Sequence, residues 1–144
     1  MSALFQPSFL PLLAILVSLL AVPAILLASR RPNLREGISL AAAGAKFAIV
    51  LALLFEVLDG GQPTLELLQI APGISLGLAV DPLGIFFALV ASGLWILTTI
   101  YSIGYMRGNR ENQQTRYYAS FALSLSATIG IAFSANLLTF LLFY

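Results

Sequence analysis

The sequence predicts an all-α polytopic membrane protein, with about four transmembrane helices, the start of a fifth and a small outer β-hairpin, forming part of a larger helical bundle. Three observations predict it. Of the 144 residues 60% are hydrophobic and the mean hydropathy is +0.98, against roughly 45–50% apolar residues in an average soluble chain. Only 9% are charged, too few to cover the surface of a soluble domain. Those few charges fall between apolar runs of about 20 residues, the length that crosses a hydrocarbon core roughly 30 Å thick.

The same composition excludes whole classes of chemistry. There is no Cys and no His, which removes disulfides, thiol catalysis, imidazole or thiolate metal sites and His-based triads. A net charge of +1, with no basic cluster outside two short loops, argues against nucleic acid as a partner. No glycine-rich phosphate loop follows a strand and no carboxylate pair lies within an apolar run, so neither a cofactor nor a self-sufficient enzyme site is expected.

The elements follow in order. Residues 1–8 form an outer N-terminus. The first span, residues 9–28, carries no charge and holds Pro23, which predicts a kink. It reads as a span rather than a signal peptide, because Arg30 and Arg31 follow the apolar run and it exceeds the roughly 7–15 residues of a signal h-region. In the loop 29–36, Asn33 and Glu36 have capping-box spacing. The second span, 37–58, is apolar apart from Lys46 and Glu56. In the outer loop, 59–81, Ile74, Leu76, Leu78 and Val80 alternate with Ser75, Gly77, Ala79 and Asp81. With the strand-like run 64–70 and the turn signal Pro72-Gly73, they predict an amphipathic hairpin on the outer surface; an irregular loop with chance alternation is the alternative. Asp81-Pro82 supplies a carboxylate cap and an N1 proline to the third span, 82–106. The loop 107–114 leads to a fourth span, 115–134, and Asn136 is placed to cap a fifth helix, 136–144.

Charge sets the expected orientation. Arg30, Arg31 and Arg35 lie in the first loop and Arg107, Arg110 and Arg116 around the third, while Asp59, Glu66 and Asp81 occupy a middle loop without Lys or Arg. The positive-inside rule then places both arginine loops in the cytoplasm and the N-terminus outside, with Tyr101, Tyr105, Tyr117 and Tyr118 at interfacial depth.

Residues 136–144 would climb only about 13 Å as helix. A carboxylate and unpartnered carbonyls would then sit near the bilayer centre, which is costly. The sequence therefore reads as the N-terminal part of a longer protein. The rival is a single helix from Thr115 to Tyr144, about 45 Å long, in a complete four-span scaffold or assembly protein without transport activity. Ser134-Ala135-Asn136, a polar interruption one bilayer thickness from the arginine loop, stands against it.

Lys46 is the sharpest chemical signal. It lies midway along the second span, where a charge is costly and usually functional. A buried amine there can relay protons; it can equally pair with a carbonyl or carboxylate of a neighbouring helix and hold the bundle together. Glu56, about 15 Å further along the helix, cannot reach it. In the fourth span Ser120, Ser124 and Thr128, with Tyr117, share one face and are candidates to line an ion path. Small residues repeat at every fourth position in Gly37, Ala41, Ala45, in Gly84, Ala88, Ser92 and in Ala122, Ser126, Gly130, Ser134, for which tight helix packing is the default reading.

Two stretches carry a resemblance. Leu78-Ala-Val-Asp-Pro-Leu-Gly-Ile-Phe-Phe87 leads through Tyr101-Ser-Ile-Gly-Tyr-Met-Arg-Gly108, and Arg116-Tyr-Tyr-Ala-Ser-Phe121 leads to Ser134-Ala-Asn-Leu-Leu-Thr-Phe-Leu-Leu-Phe-Tyr144. The chain resembles the N-terminal region of the antiporter-like subunits shared by respiratory complex I (NADH–quinone oxidoreductase) and Mrp-type cation/proton antiporters, well over residues 65–144 and loosely before them. The resemblance implies a longer protein in which two inverted repeats follow a leading group of helices, and in which broken helices and lysine–glutamate pairs carry protons. It implies the bilayer, other membrane subunits and protons or sodium ions as partners, with any redox chemistry in other subunits, in a bacterial or archaeal cell membrane. The family's membrane glutamate would follow Tyr144 and its central lysines lie further on, so none is carried over. Lys46 matches no functional motif of the family.

Overall fold

The computed structural model describes residues 9–61 and 63–144; the expected outer segment 1–8 lies outside them. The elements are α1 (Leu10–Leu27), α2 (Pro32–Leu58), β1 (Thr64–Ala71), β2 (Ile74–Ala79), α3 (Pro82–Gly108), α4 (Gln114–Ala132) and α5 (Leu137–Phe143). By length and composition α1, α2 and α3 are long and apolar enough to cross a membrane. α4 is a 19-residue helix richer in hydroxyls, and the chain is a mostly helical, polytopic membrane protein with a two-stranded antiparallel hairpin.

Local chemistry explains most helix ends. Asp81 caps α3 by accepting from Gly84 N at 2.7 Å, with Pro82 in the first turn. Asn136 caps α5 by accepting from Thr139 N at 2.9 Å. α2 departs from expectation. It opens at Pro32 with an extended Arg31 before it and no side-chain cap, so Asn33 and Glu36 lie inside the helix and form no capping box. Their polar groups are used laterally instead, as described below.

α1 packs between α2 and α4, α2 also packs on α3, and α3 touches α4 more lightly. The chain is apolar on its outside: Leu20, Leu27, Phe55, Phe86 and Leu97 are all exposed, while Ser18, Ser39, Lys46, Ser92, Thr99, Ser102 and Ser126 are buried. That inversion suits a lipid solvent, where polar groups must find partners inside the protein. The small residues Gly84, Ala88 and Ser92 face inward, as do Ala122, Ser126 and Gly130. Gly37, Ala41 and Ala45 are exposed, so their stripe faces away from the other described helices.

The α4–α5 break is held by the hairpin. Ala79 N donates to Phe133 O at 2.7 Å and Ala135 N to Gly77 O at 3.0 Å, around a bridge between Leu78 and Ser134. Gly77 N donates to Thr139 Oγ1 at 3.0 Å and Asn136 Nδ2 to Ser75 O at 2.6 Å. Residues 133–136 thus lie along β2 through one isolated bridge, and the continuous helix from Thr115 to Tyr144 does not form. The hairpin itself turns at Gly73, whose φ of +82° few other residues adopt. Its alternation is only partly kept. Leu78 and Val80 enter the core, yet Ile74 is exposed, and β1 carries irregularities in register and exposes Leu67, Leu68 and Ile70. Both arginine loops meet at the opposite end, where Arg35 donates to Gln114 and Thr115.

Gly84 marks the tightest approach of α3 to α4: a Cβ there would lie 2.7 Å from Ala132 O and 2.6 Å from the capping carboxylate of Asp81. Gly84→Ala is therefore expected to destabilise by about 1–3 kcal/mol, the usual cost of overpacking. Gly104→Ala, with nothing within 4 Å, should be neutral or slightly stabilising because alanine favours helix. Thermal midpoints of the two variants in detergent check the contrast.

Candidate functional site

The inward face of α2 carries Ser39, Ala42, Ala43, Lys46, Val50 and Leu53. The alanines let α1 come close, and Lys46 projects between two apolar clusters, one built on Val50, Leu53, Ile85 and Phe133 and the other on Ile25, Ala43, Trp95 and Ala122. Lys46 has no exposed surface. Its Nζ donates to Ser18 Oγ of α1 at 2.5 Å and lies 5.3 Å from the ring centroid of Trp95 on α3. Ser18 Oγ donates in turn to Ile15 O at 3.2 Å, and Ser126 Oγ of α4 reaches the same carbonyl at 3.2 Å. Three helices thus meet at one amine, and α4 joins them through the Ile15 carbonyl that Ser18 also bonds.

What holds Lys46 is a hydroxyl and an indole face, not an acid. Among the described residues the ion pairs are Arg35–Glu36 and Arg107–Glu36, and Glu56 lies exposed on the outer face of α2. A protonated amine has three donors, and the indole face attracts the charge electrostatically. Such a group can hold a proton and pass it on without breaking a salt bridge. The described residues include no group of three or more His, Cys, Asp or Glu able to hold a metal.

The other candidates stand apart. Ser120 and Ser124 are exposed, and Thr128 is half-buried with its hydroxyl donating to Ser124 O at 2.7 Å. α4 turns its small-residue face, Ala119, Ala122, Ser126 and Gly130, toward the interior, because that face admits the close approach of α1. The Ser120–Ser124–Thr128 face is left pointing away from Lys46. The structure brings Lys46 together with Ser18 and Trp95 instead, with Ser126 bonded to the carbonyl that Ser18 also reaches. Ser18, the sole polar side chain between Leu10 and Leu27, and Trp95, the single tryptophan, were visible signals.

A second polar cluster closes the arginine end. Glu36 is buried and accepts from Arg107 Nε at 3.0 Å and also pairs with Arg107 Nη2; Arg107 reaches Asn33 Oδ1 at 2.5 Å. Arg35, also buried, donates to Thr115 Oγ1 at 3.0 Å and Gln114 Oε1 at 2.9 Å and stacks over Tyr118. Residues used as topology markers in the sequence are thus the ties between α2, α3 and α4.

Residues 69–118 match the family described as NADH-Ubiquinone oxidoreductase (complex I), chain 5 N-terminus. Over 98 residues, 67% of this chain, the sequence is 31% identical to a Na(+)/H(+) antiporter subunit A1 of Staphylococcus aureus strain bovine RF122 / ET3-1. It is 30% identical over the same length to the subunit A1 of strain JH9. The chain belongs with the antiporter-like subunits, in their N-terminal region. The matched stretch spans 12% of the length of these relatives. Within the antiporter-like match at 69–118 lie the hairpin turn, α3 with Trp95 and Arg107, and the first turn of α4. Lys46, Ser18 and Ser126 fall outside it.

Ser18→Ala removes the acceptor of a buried amine. It is expected to lower stability by about 1.5–3 kcal/mol, the range for hydrogen bonds to charged groups. Ser120→Ala, on the exposed face, should stay within about 0.5 kcal/mol of the parent. Denaturation midpoints of the two variants measured side by side check this; equal midpoints would remove the Ser18–Lys46 bond from the stabilising contacts.

Proposed function

We propose that this chain is the N-terminal portion of a subunit that moves protons or cations across a cell membrane within a multisubunit complex, of the complex I or Mrp type, and that Lys46 is a protonatable group on its ion path. The observation that carries this reading is the 31% identity to Na(+)/H(+) antiporter subunits over two thirds of the chain. The buried Lys46, held without a carboxylate among four helices, supports its second half. Other membrane subunits and the lipid bilayer are its partners, and protons or sodium ions its cargo. The exposed hydroxyl face Ser120, Ser124 and Thr128 belongs on this reading to a contact with lipid or with further helices, where it could line a path only if another element covers it.

In this reading the arginine loops lie in the cytoplasm of a bacterial or archaeal cell, with the N-terminus and hairpin outside. The clustering of Arg30, Arg31, Arg35, Arg107 and Arg110 near one end of the bundle supports that orientation.

The test is Lys46→Met in the full-length subunit assembled in its complex. Methionine preserves much of the side-chain volume and removes the proton site. Proton or sodium movement in vesicles is expected to fall by about a hundredfold, the low end of what losing a proton-transfer group costs. Normal transport at normal assembly would remove Lys46 from the path and leave it a packing residue.

A further inference from the structure

At the arginine end the start of α2, the end of α3 and the start of α4 enclose an open cleft of about 510 Å³, lined by Pro32, Asn33, Arg107, Arg110, Glu111 and Gln114. Its donors are only partly used. Arg107 turns Nε and Nη2 to Glu36 and Asn33, and its Nη1 meets no partner among the described residues. Asn33 accepts that bond through Oδ1, which leaves its Nδ2 free to donate. Arg110 forms no side-chain hydrogen bond or ion pair among the described residues. The loop holds it at φ +50°, where residues other than glycine are uncommon.

The charge of this end is one-sided. Every arginine of the chain lies here, against two carboxylates, Glu36 and Glu111, and Glu36 is already paired. The start of α2, which has no side-chain cap, adds the positive end of a helix dipole. The cleft therefore favours an anion. It also lies at headgroup depth: Tyr101 and Tyr105, exposed on α3 just before Arg107, stack with ring centroids 5.9 Å apart, and tyrosines gather at that level of a bilayer.

An apolar furrow leads from the cleft toward the bilayer interior. Asn33, Leu40 and Phe47 follow one another at seven-residue spacing on one face of α2, and Arg107, Ile100 and Gly93 do so on α3. The two faces meet at both ends. Arg107 bonds Asn33 at 2.5 Å, and a Cβ on Gly93 would lie 3.6 Å from the Phe47 ring. Between these contacts Leu40 and Ile100 are exposed, and a Cβ on Gly44 or Gly104 would have nothing within 4 Å. The furrow is about 21 Å long at the helical rise, enough to cross one hydrocarbon leaflet of roughly 15 Å.

We propose that this cleft seats the phosphate of an anionic phospholipid from the leaflet on the arginine side, held by Arg110 and Arg107, with an acyl chain lying in the furrow over Leu40 and Ile100. Basic pockets between membrane helices take anionic headgroups in this way. Glu111, the acid of the lining, suits a headgroup that also brings a hydroxyl donor, as a glycerol does. A soluble phosphate ester would meet the same donors and leave the furrow empty, so the furrow commits the site to a lipid. The site requires only that the helices span a bilayer, and it stands whether or not Lys46 carries protons.

The probe is phosphatidylglycerol with a photoreactive diazirine in its acyl chain, diluted into phosphatidylcholine nanodiscs that hold the full-length subunit. Crosslinks mapped by peptide mass spectrometry are expected around Leu40 and Ile100, at least about fivefold above those from phosphatidylcholine with the same diazirine. Arg110 ties nothing in the bundle, so Arg110→Gln leaves the packing intact and is expected to lower the crosslinks at least about fivefold. Arg116→Gln makes the same charge change outside the cleft, where Arg116 bonds Gln113, and should lower them less than about twofold. Equal losses in the two variants, or no loss in either, would overturn the site, because surface charge alone or no charge would then govern the lipid. Full competition by millimolar glycerol 1-phosphate would overturn the lipid as occupant and leave a site for soluble phosphate esters; unchanged crosslinking in its presence supports the lipid.

Discussion

One amine in an apolar interior governs the arrangement of the helices. Lys46 cannot be left without partners in hydrocarbon, where a charged side chain costs several kcal/mol even by lenient measures. Its position midway along a membrane-length helix puts it too far inside to reach water by stretching along the surface. The remaining solution is to bring polar groups to it. α1 delivers the Ser18 hydroxyl and α3 the indole of Trp95, while the Ile15 carbonyl accepts from Ser18 and from Ser126 of α4 and so fixes the hydroxyl that meets the amine. Each of these contacts demands a close helix approach, which explains why the neighbouring inward positions are Ala14, Ala21, Ala42, Ala43 and Ala122. Bulkier residues would push the hydroxyl of Ser18 out of reach.

The two ends of the bundle meet different demands. At the arginine end, charges far apart in sequence neutralise one another: Glu36 lies between Arg35 and Arg107, and Arg35 is drawn into contact with α4. Removing one member of such a buried set leaves an uncompensated charge. At the other end the difficulty is backbone. The interruption of α4 and α5 frees N–H and C=O groups, and β2 satisfies them through Gly77 and Ala79. Broken helices are tolerated in membranes where protein buries the break. The hairpin therefore does more than decorate a loop: its second strand completes the helix break and sends Leu78 and Val80 into the core.

Local chemistry made much of this legible in the sequence. The helices carry the apolar runs, Asp81 and Asn136 cap as their spacing predicts, Pro72-Gly73 turns the hairpin, and Ser134-Ala135-Asn136 interrupts a helix that hydropathy alone would continue. The depth of Lys46 followed from counting residues. What escaped depended on contacts between distant segments. Arg35 and Glu36 looked like a loop because charges usually lie in one; distant partners, Arg107 for Glu36 and Gln114 and Thr115 for Arg35, make their helical burial affordable. α4 offers two polar or small stripes, and nothing local says which faces inward; the need of α1 for a close neighbour decides for Ala122, Ser126 and Gly130. Ser18 and Trp95 were each conspicuous by rarity, but their meeting at Lys46 is a property of the packed helices.

The most direct test of Lys46 as the centre of this bundle is an experimental structure of the full-length subunit in a lipid nanodisc, by electron cryo-microscopy at side-chain resolution. The expected result is a Lys46 amine within hydrogen-bond distance of Ser18 Oγ and facing the Trp95 ring, with no carboxylate against it. An amine turned outward to lipid, or paired with an acid from another part of the subunit, would contradict it.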